Sequence, residues 1–275
     1  MSGGLLIDGV LVPVPGVTVI PPASHGGPTW CALSPGDYRP RKTTWVRQVM
    51  LHTTKGAPRQ YVKPGSGPAW RERNVAEFWR DDPAYSGAHI VIGSDGVVAC
   101  LADLARVCAY HATVSNDWSV GIELYQEADS GVYEATFAAA VPVVRTICAA
   151  LGIPYQYVAD RYNGHPLQRM LNGGSDVVGV TGHRSNTENR GWGDPGDEVF
   201  IRLHADGCEP VTINDRQDVA LGMQRQRYLN ALDARRGNTI RPLVVDGLVG
   251  PSSITTARRL GYARWRDVGM AERAA

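Results

Sequence analysis

Trp45-Val46-Arg47-Gln48-Val49-Met50-Leu51-His52-Thr53-Thr54-Lys55-Gly56 reads as a short buried strand, Val46 to Leu51, that ends at a histidine and passes into a polar loop. Two other stretches follow the same plan. Ser119 to Tyr125 alternates, with Val120, Ile122 and Leu124 on one face and Gly121, Glu123 and Tyr125 on the other, so Glu123 is expected on the face away from the core. Val178 to Gly182 is a strand ending at His183. Between the first two, Ala88 to Ile92 and Val97 to Leu101 flank Ser94-Asp95-Gly96, and an Asp-Gly turn between apolar runs predicts a hairpin. Asn74 is placed to cap a short helix through Trp79. Phe137, Val141, Val144, Cys148 and Leu151 recur at helical spacing ahead of Gly152, which predicts a helix from about Tyr133 to Leu151, kinked at Pro142. Another short helix is expected near Glu198 to Leu203. This order predicts an α/β fold: a mixed central β-sheet with flanking helices.

The 275 residues, 43% hydrophobic and 20% charged, are enough for one large domain and a small one. Composition excludes a disordered, fibrous or long-helix chain. Lys and Arg number 28 against 27 Asp and Glu, so the basic excess of a phosphate-neutralising protein is missing and nucleic acid is not an expected partner. Five widely spaced cysteines, Cys31, Cys100, Cys108, Cys148 and Cys208, fit neither a disulfide framework nor a C-x-x-C zinc ribbon. The apolar run from Leu5 to Ile20 is interrupted by Asp8, Pro13 and Pro15 and has no basic residue ahead of it, so neither a secretory leader nor membrane insertion is expected. On this reading the chain is made in the cytosol, to act there or on the wall after release or export.

Three segments are expected. Residues 1–44, rich in breakers, form an arm that packs on the domain; residues 45–207 carry the organised pattern; residues 208–275 form a small helical module. The last of these changes character, because residues 209–275 hold 11 Arg and no Lys against 7 Asp and Glu, a local +4.

Polar groups that end strands or loops are the candidates for chemistry. His52, His183 and Asp194 are donors of the type zinc accepts, and a catalytic zinc site uses three protein ligands plus water. Spacing alone leaves accidental triples open, since the chain has seven histidines and many carboxylates. A lone His at a strand end is more often a satisfied core residue; His89, beside the hairpin core, is expected to be structural. Gly191-Trp192-Gly193-Asp194-Pro195-Gly196 matches G-x-G-x-x-G by letter, but a polar loop precedes it and Asp194 would oppose a phosphate. G-x-S-x-G does not occur, and no cysteine-nucleophile signature is present.

Met50-Leu51-His52-Thr53-Thr54-Lys55-Gly56, Ala88-His89-Ile90-Val91-Ile92-Gly93 with Asp95-Gly96, Tyr110-His111-Ala112, Asn116 with Ser119-Val120-Gly121-Ile122-Glu123-Leu124, Gly182-His183-Arg184, and Asp194-Pro195-Gly196 stand in the order seen in zinc-dependent N-acetylmuramoyl-L-alanine amidases. The chain resembles that family, which includes phage lysins, anhydromuramyl-peptide recycling enzymes and peptidoglycan recognition proteins, over about residues 45–207. The resemblance implies zinc held by His52, His183 and Asp194, and peptidoglycan or muropeptides as partner. Some relatives carry a Tyr base at the position of Ala88; the branch resembled here uses the carboxylate matching Glu123. Relatives place a basic residue two positions before the third ligand, where this chain has Trp192, so Arg190 is the candidate substitute. His111 and Trp192 are candidate substrate contacts. Zinc acidifies water to a pKa of about 7 and polarises an amide carbonyl; Glu123 would take the proton and Arg190 would face the oxyanion. A non-catalytic recognition protein is the alternative. The turn Val245-Asp246-Gly247-Leu248-Val249-Gly250-Pro251 resembles the core turn of small helical peptidoglycan-binding modules. A monomer is expected.

Overall fold

The computed structural model describes residues 3–41, 46–57, 60–69, 71–81, 87–112, 115–158, 178–185 and 194–211, with 229, 230, 233, 255–257, 259 and 260. In chain order the strands are β1 (Leu5–Ile7), β2 (Val10–Val12), β3 (Val19–Ile20), β4 (Tyr38–Pro40), β5 (Gln48–Thr53), β6 (Tyr61–Lys63), β7 (Ile90–Ile92), β8 (Val98–Cys100), β9 (Val107–Ala109), β10 (Ser119–Leu124), β11 (Gly131–Tyr133), β12 (Gln156–Val158), β13 (Gly179–Gly182) and β14 (Glu209–Val211). Among the described residues the longer helices are α1 (Arg71–Asp81), α2 (Glu134–Leu151) and α3 (Glu198–Ala205), and His183–Ser185 forms a 3₁₀ turn. The main sheet runs β14-β12-β13-β5-β10-β7-β8-β3. From β14 to β7 every pairing is parallel; β8 returns antiparallel to β7 through the Asp95-Gly96 turn, and β3 lies parallel to β8 at the edge. This is the mixed sheet with flanking helices that the sequence predicts.

Alternation along the strands decides what each face carries. Val49 and Leu51 of β5, Val120, Ile122 and Leu124 of β10 and Val180 of β13 join one core cluster with Phe137, Ala140, Val143, Val144 and Ile147 of α2. Helix α2 therefore covers one face. It stops where Gly152 turns left-handed (φ 62°) and donates its N–H to the last carbonyls, a geometry that glycine adopts without strain. On the opposite face, Ala76 and Trp79 of α1 pack with Val91 of β7 and Ala99 of β8. The strip of that face over β13, β5 and β10 carries the polar Gln48, His52, Ser119, Glu123 and Thr181, with the buried Met50 among them.

Two elements differ from the sequence reading in extent. His52 lies inside β5, one residue before its end, because pairing with β10 carries the strand through Thr53, while pairing with β13 ends at Leu51. Asn74 is interior to α1 and does not cap it, since the charged run from Arg71 extends the helix toward its N-terminus. Within residues 3–41, β1 and β2 form a hairpin across Asp8-Gly9, both at positive φ, β3 completes the sheet edge, and β4 pairs with β9. The Asp103 carboxylate accepts the Asp8 and Gly9 N–H groups at 3.0 and 2.7 Å, fastening that hairpin. All five cysteines are free and buried, and burial raises the Cys100, Cys148 and Cys208 thiols to about 12. The 208–275 segment lies largely outside the described residues; within it, Asp233 and Arg259 form a two-pronged ion pair at 2.7 Å.

One buried carboxylate has no role in the polar strip. Glu72 on α1 is 4% exposed, and its Oε2 makes no hydrogen bond among the described residues. Burial, with Asp95 adding to it, raises its pKa to about 7. A carboxyl whose pKa is raised by folding contributes full stability below its unfolded value near 4.5 and loses that contribution as pH rises through 7. Glu72→Gln is therefore expected to match the parent at pH 4 and to exceed it at pH 8 by roughly 3 kcal/mol, read from thermal melts across that range. A constant difference across pH would refute the assignment.

Candidate metal centre

Register brings the site together. Glu123 on β10 is paired with His52 on β5, and neighbours in register on adjacent strands, about 4.8 Å apart, share a face. Gly182, the last residue of β13, is paired with Leu51, so His183 follows alongside His52. His183, His52 and Glu123 thus form a row across the carboxyl ends of three parallel strands, on the face α2 does not cover. The two imidazole centroids are 4.5 Å apart.

Asp194 arrives on the segment leading into α3 and is held at several points. Thr53 N–H donates to its Oδ1 at 3.0 Å and Arg184 N–H to its carbonyl at 2.6 Å. Gly196 N–H donates to Gln60 Oε1 at 2.7 Å, while Gln60 Nε2 donates to Thr53 Oγ1 at 3.2 Å. Gln60 therefore ties the Asp194 segment to the end of β5, a role no sequence signal announced, because a polar residue in a polar loop is unremarked. Gly182 permits the close approach: a Cβ there would stand 2.9 Å from Pro195 Cδ.

His52, His183 and Asp194 are 2%, 3% and 2% exposed, and one ligand atom of each lies within 4.8 Å of the others. Asp194 Oδ2 is 3.1 Å from His183 Nδ1, and Oδ1 is 3.9 Å from His52 Nδ1. Donors bound to one zinc at about 2.1 Å with tetrahedral angles would stand about 3.4 Å apart. His183 Nδ1 is buried and makes no hydrogen bond among the described residues. Polar atoms in such surroundings are nearly always satisfied, and a shared cation would satisfy this one. The donor set, its spacing and the orphaned nitrogen all fit zinc.

The remaining histidines divide. His89 is fully buried; its Nδ1 accepts the Gly121 N–H at 3.0 Å and its Nε2 lies 3.0 Å from the Val107 carbonyl. Burial and the nearby Arg41 lower its pKa to about 3, so it is a neutral structural residue. His111 reaches the centre directly, its Nδ1 3.0 Å from His52 Nε2 and its Nε2 3.1 Å from Ser119 Oγ. Desolvation, then the neighbouring His89 and His183, hold it well below the usual imidazole range, and its ring is neutral. His204 lies on α3 with its Nδ1 3.3 Å from the Cys208 carbonyl. Arg190, Trp192 and His165 lie outside the described residues.

A mixed sheet with two buried histidines and an aspartate at its parallel strand ends, and a glutamate on the next strand, defines an α/β protein with a candidate metal centre. The family model for N-acetylmuramoyl-L-alanine amidase matches residues 41–197, more than half of the chain, and the chain belongs to that family. Solved structures similar to it include an AmpD derivative (19% identity over 62% of this chain and 92% of that one, TM-score 0.40). A mutant endolysin from Bacillus subtilis is also similar (15%, 68% and 99%, TM-score 0.42), as is peptidoglycan recognition protein SD from Drosophila (17%, 72% and 99%, TM-score 0.43). Among curated protein sequences none matches.

Proposed function

We propose that this protein is a zinc-dependent N-acetylmuramoyl-L-alanine amidase, hydrolysing the amide between the lactyl group of N-acetylmuramic acid and L-alanine in peptidoglycan or its fragments. The observation that carries this reading is the buried His52, His183 and Asp194 cluster, with His52 in register with Glu123, inside the segment matched by the family. When bound, zinc supplies a Lewis acid that polarises the scissile carbonyl and acidifies water.

The chain's own residues do the rest. Asp194 is oriented before substrate arrives by the Thr53 N–H and by the Arg184 and Gln60 contacts that fix its backbone segment. Glu123 takes the proton of the attacking water on its carboxylate and returns it to the departing L-alanine nitrogen, which cannot leave as an anion. Arg190 is the proposed cation facing the developing oxyanion, a contribution of about 2.7–4 kcal/mol for one such donor.

The test uses the full chain with soluble muropeptides and with intact sacculi. Chelation should abolish release of peptide stems, zinc should restore it, and mass analysis of the products should find a free lactyl carboxylate and a free L-alanine amine. A zinc-loaded protein that binds muropeptides and leaves that bond intact would instead make this a recognition protein.

A further inference from the structure

The environment of His52 determines more than its position, because a neutral imidazole can ligate only through the nitrogen that carries no proton. The hydrogen bonds around it form a directed chain that starts at an atom with no choice. The Ser115 carbonyl oxygen can only accept, and Ser119 Oγ lies 2.6 Å from it, so the single hydroxyl hydrogen of Ser119 points there. Toward His111, at 3.1 Å, Ser119 Oγ can then only accept, which places the proton of the neutral His111 ring on Nε2. His111 Nδ1 is left as a bare acceptor 3.0 Å from His52 Nε2, and that contact is a hydrogen bond only if His52 Nε2 carries the proton. The unprotonated nitrogen of His52 is then Nδ1, the one that faces the Asp194 carboxylate.

From this geometry we infer that the chain Ser115, Ser119, His111 selects the His52 tautomer with a bare Nδ1 turned to the metal cluster, making His111 a positioning residue that acts through His52. The reverse tautomer of His111 would set two lone pairs against each other at Ser119 and place an N–H where a ligand is needed. The fold holds the relay in place. Asn116 Oδ1 accepts the N–H groups of His111 and Ala112 at 3.0 and 2.6 Å, fixing the backbone that carries the ring. Gly121 of β10 leaves the space the ring occupies: a Cβ there would lie 2.5 Å from His111 Cγ. Both ring nitrogens of His111 are thereby engaged within the protein.

For neutral rings the tautomer follows from the hydrogen bonds; its consequence for metal affinity rests on the zinc reading above. Nitrogen-15 spectra of metal-free protein with labelled histidine should give His52 and His111 each a pyridine-like Nδ1 and a pyrrole-like Nε2 at neutral pH. His111→Leu, which removes the acceptor, should bring the His52 Nδ1 and Nε2 shifts together and weaken zinc binding about 10- to 100-fold, measured by competition with a chromophoric chelator. His111→Gln, which can still accept from His52 Nε2, should recover most of that loss. A pyrrole-like His52 Nδ1 in the parent protein would overturn the inference whether or not any variant folds. Parent-like zinc affinity and His52 shifts in His111→Leu would overturn it too. If the expected tautomers are found in a protein that takes no zinc, the relay stands and the metal reading fails.

Discussion

His52→Ala is expected to lose zinc and hydrolysis together while keeping its fold. His52 contributes one of three donors, and two donors from a 3₁₀ turn and a connecting segment do not make a catalytic zinc site, which uses three protein ligands. Affinity should fall well beyond the 10- to 100-fold that loss of a mere supporting partner costs, so metal analysis after dialysis should find the variant empty and muropeptide turnover at background. The fold should survive, because β5 is held by ladders on both sides and its apolar side chains Val49 and Leu51 face α2. The cost in stability should be about 1–3 kcal/mol, visible as a lower melting temperature with an unchanged far-ultraviolet spectrum. A His52→Ala protein that retains stoichiometric zinc and full turnover would sink the assignment of this centre.

The proposed ligand cluster was legible in the sequence through the ordered motifs of the family resembled, and the place of Glu123 through strand alternation, which is a one-dimensional rule. Alternation sets Glu123 on the face opposite Val120, Ile122 and Leu124, and those three pack with α2 while Glu123 stands in register with His52. The hairpin at Asp95-Gly96 was legible for the same kind of reason, a turn whose backbone demands those residues. The same Asp-Gly signal stands at Asp8-Gly9, but Pro13, Pro15 and the glycines around it make that segment read as a run of breakers. The structure makes that signal a two-residue turn fastened by Asp103, 95 residues from Asp8 in the chain. Sequence distance also hid Gln60, whose partners Thr53 and Gly196 come together only once β5 and the Asp194 segment are in place. His111 lies between these cases. Its motif marked it for the site, but the direction of its hydrogen bonds depends on the Ser119 hydroxyl and the Ser115 carbonyl, which no spacing rule connects to His52.

Glu123→Gln should separate chemistry from metal binding. The amide keeps the size of the carboxylate and its place on β10, between His52 and Val91 in register, so zinc content and folding should match the parent. It cannot take a proton from water, and loss of a general base costs about 10² to 10⁴ in turnover. That loss should fall on kcat, with KM nearly unchanged, because the proposed role belongs to the transition state and not to substrate binding. Glu123→Asp, which withdraws the carboxylate by one methylene, should lie between the two. Glu72→Gln supplies the control, since that carboxyl sits with α1 near Gly93 and Asp95 and is expected to leave turnover at pH 7 unaltered. If Glu123→Gln turned over muropeptides at the parental rate with zinc bound, proton transfer would have to be reassigned to another group, and the register pairing of Glu123 with His52 would be a feature of strand packing alone.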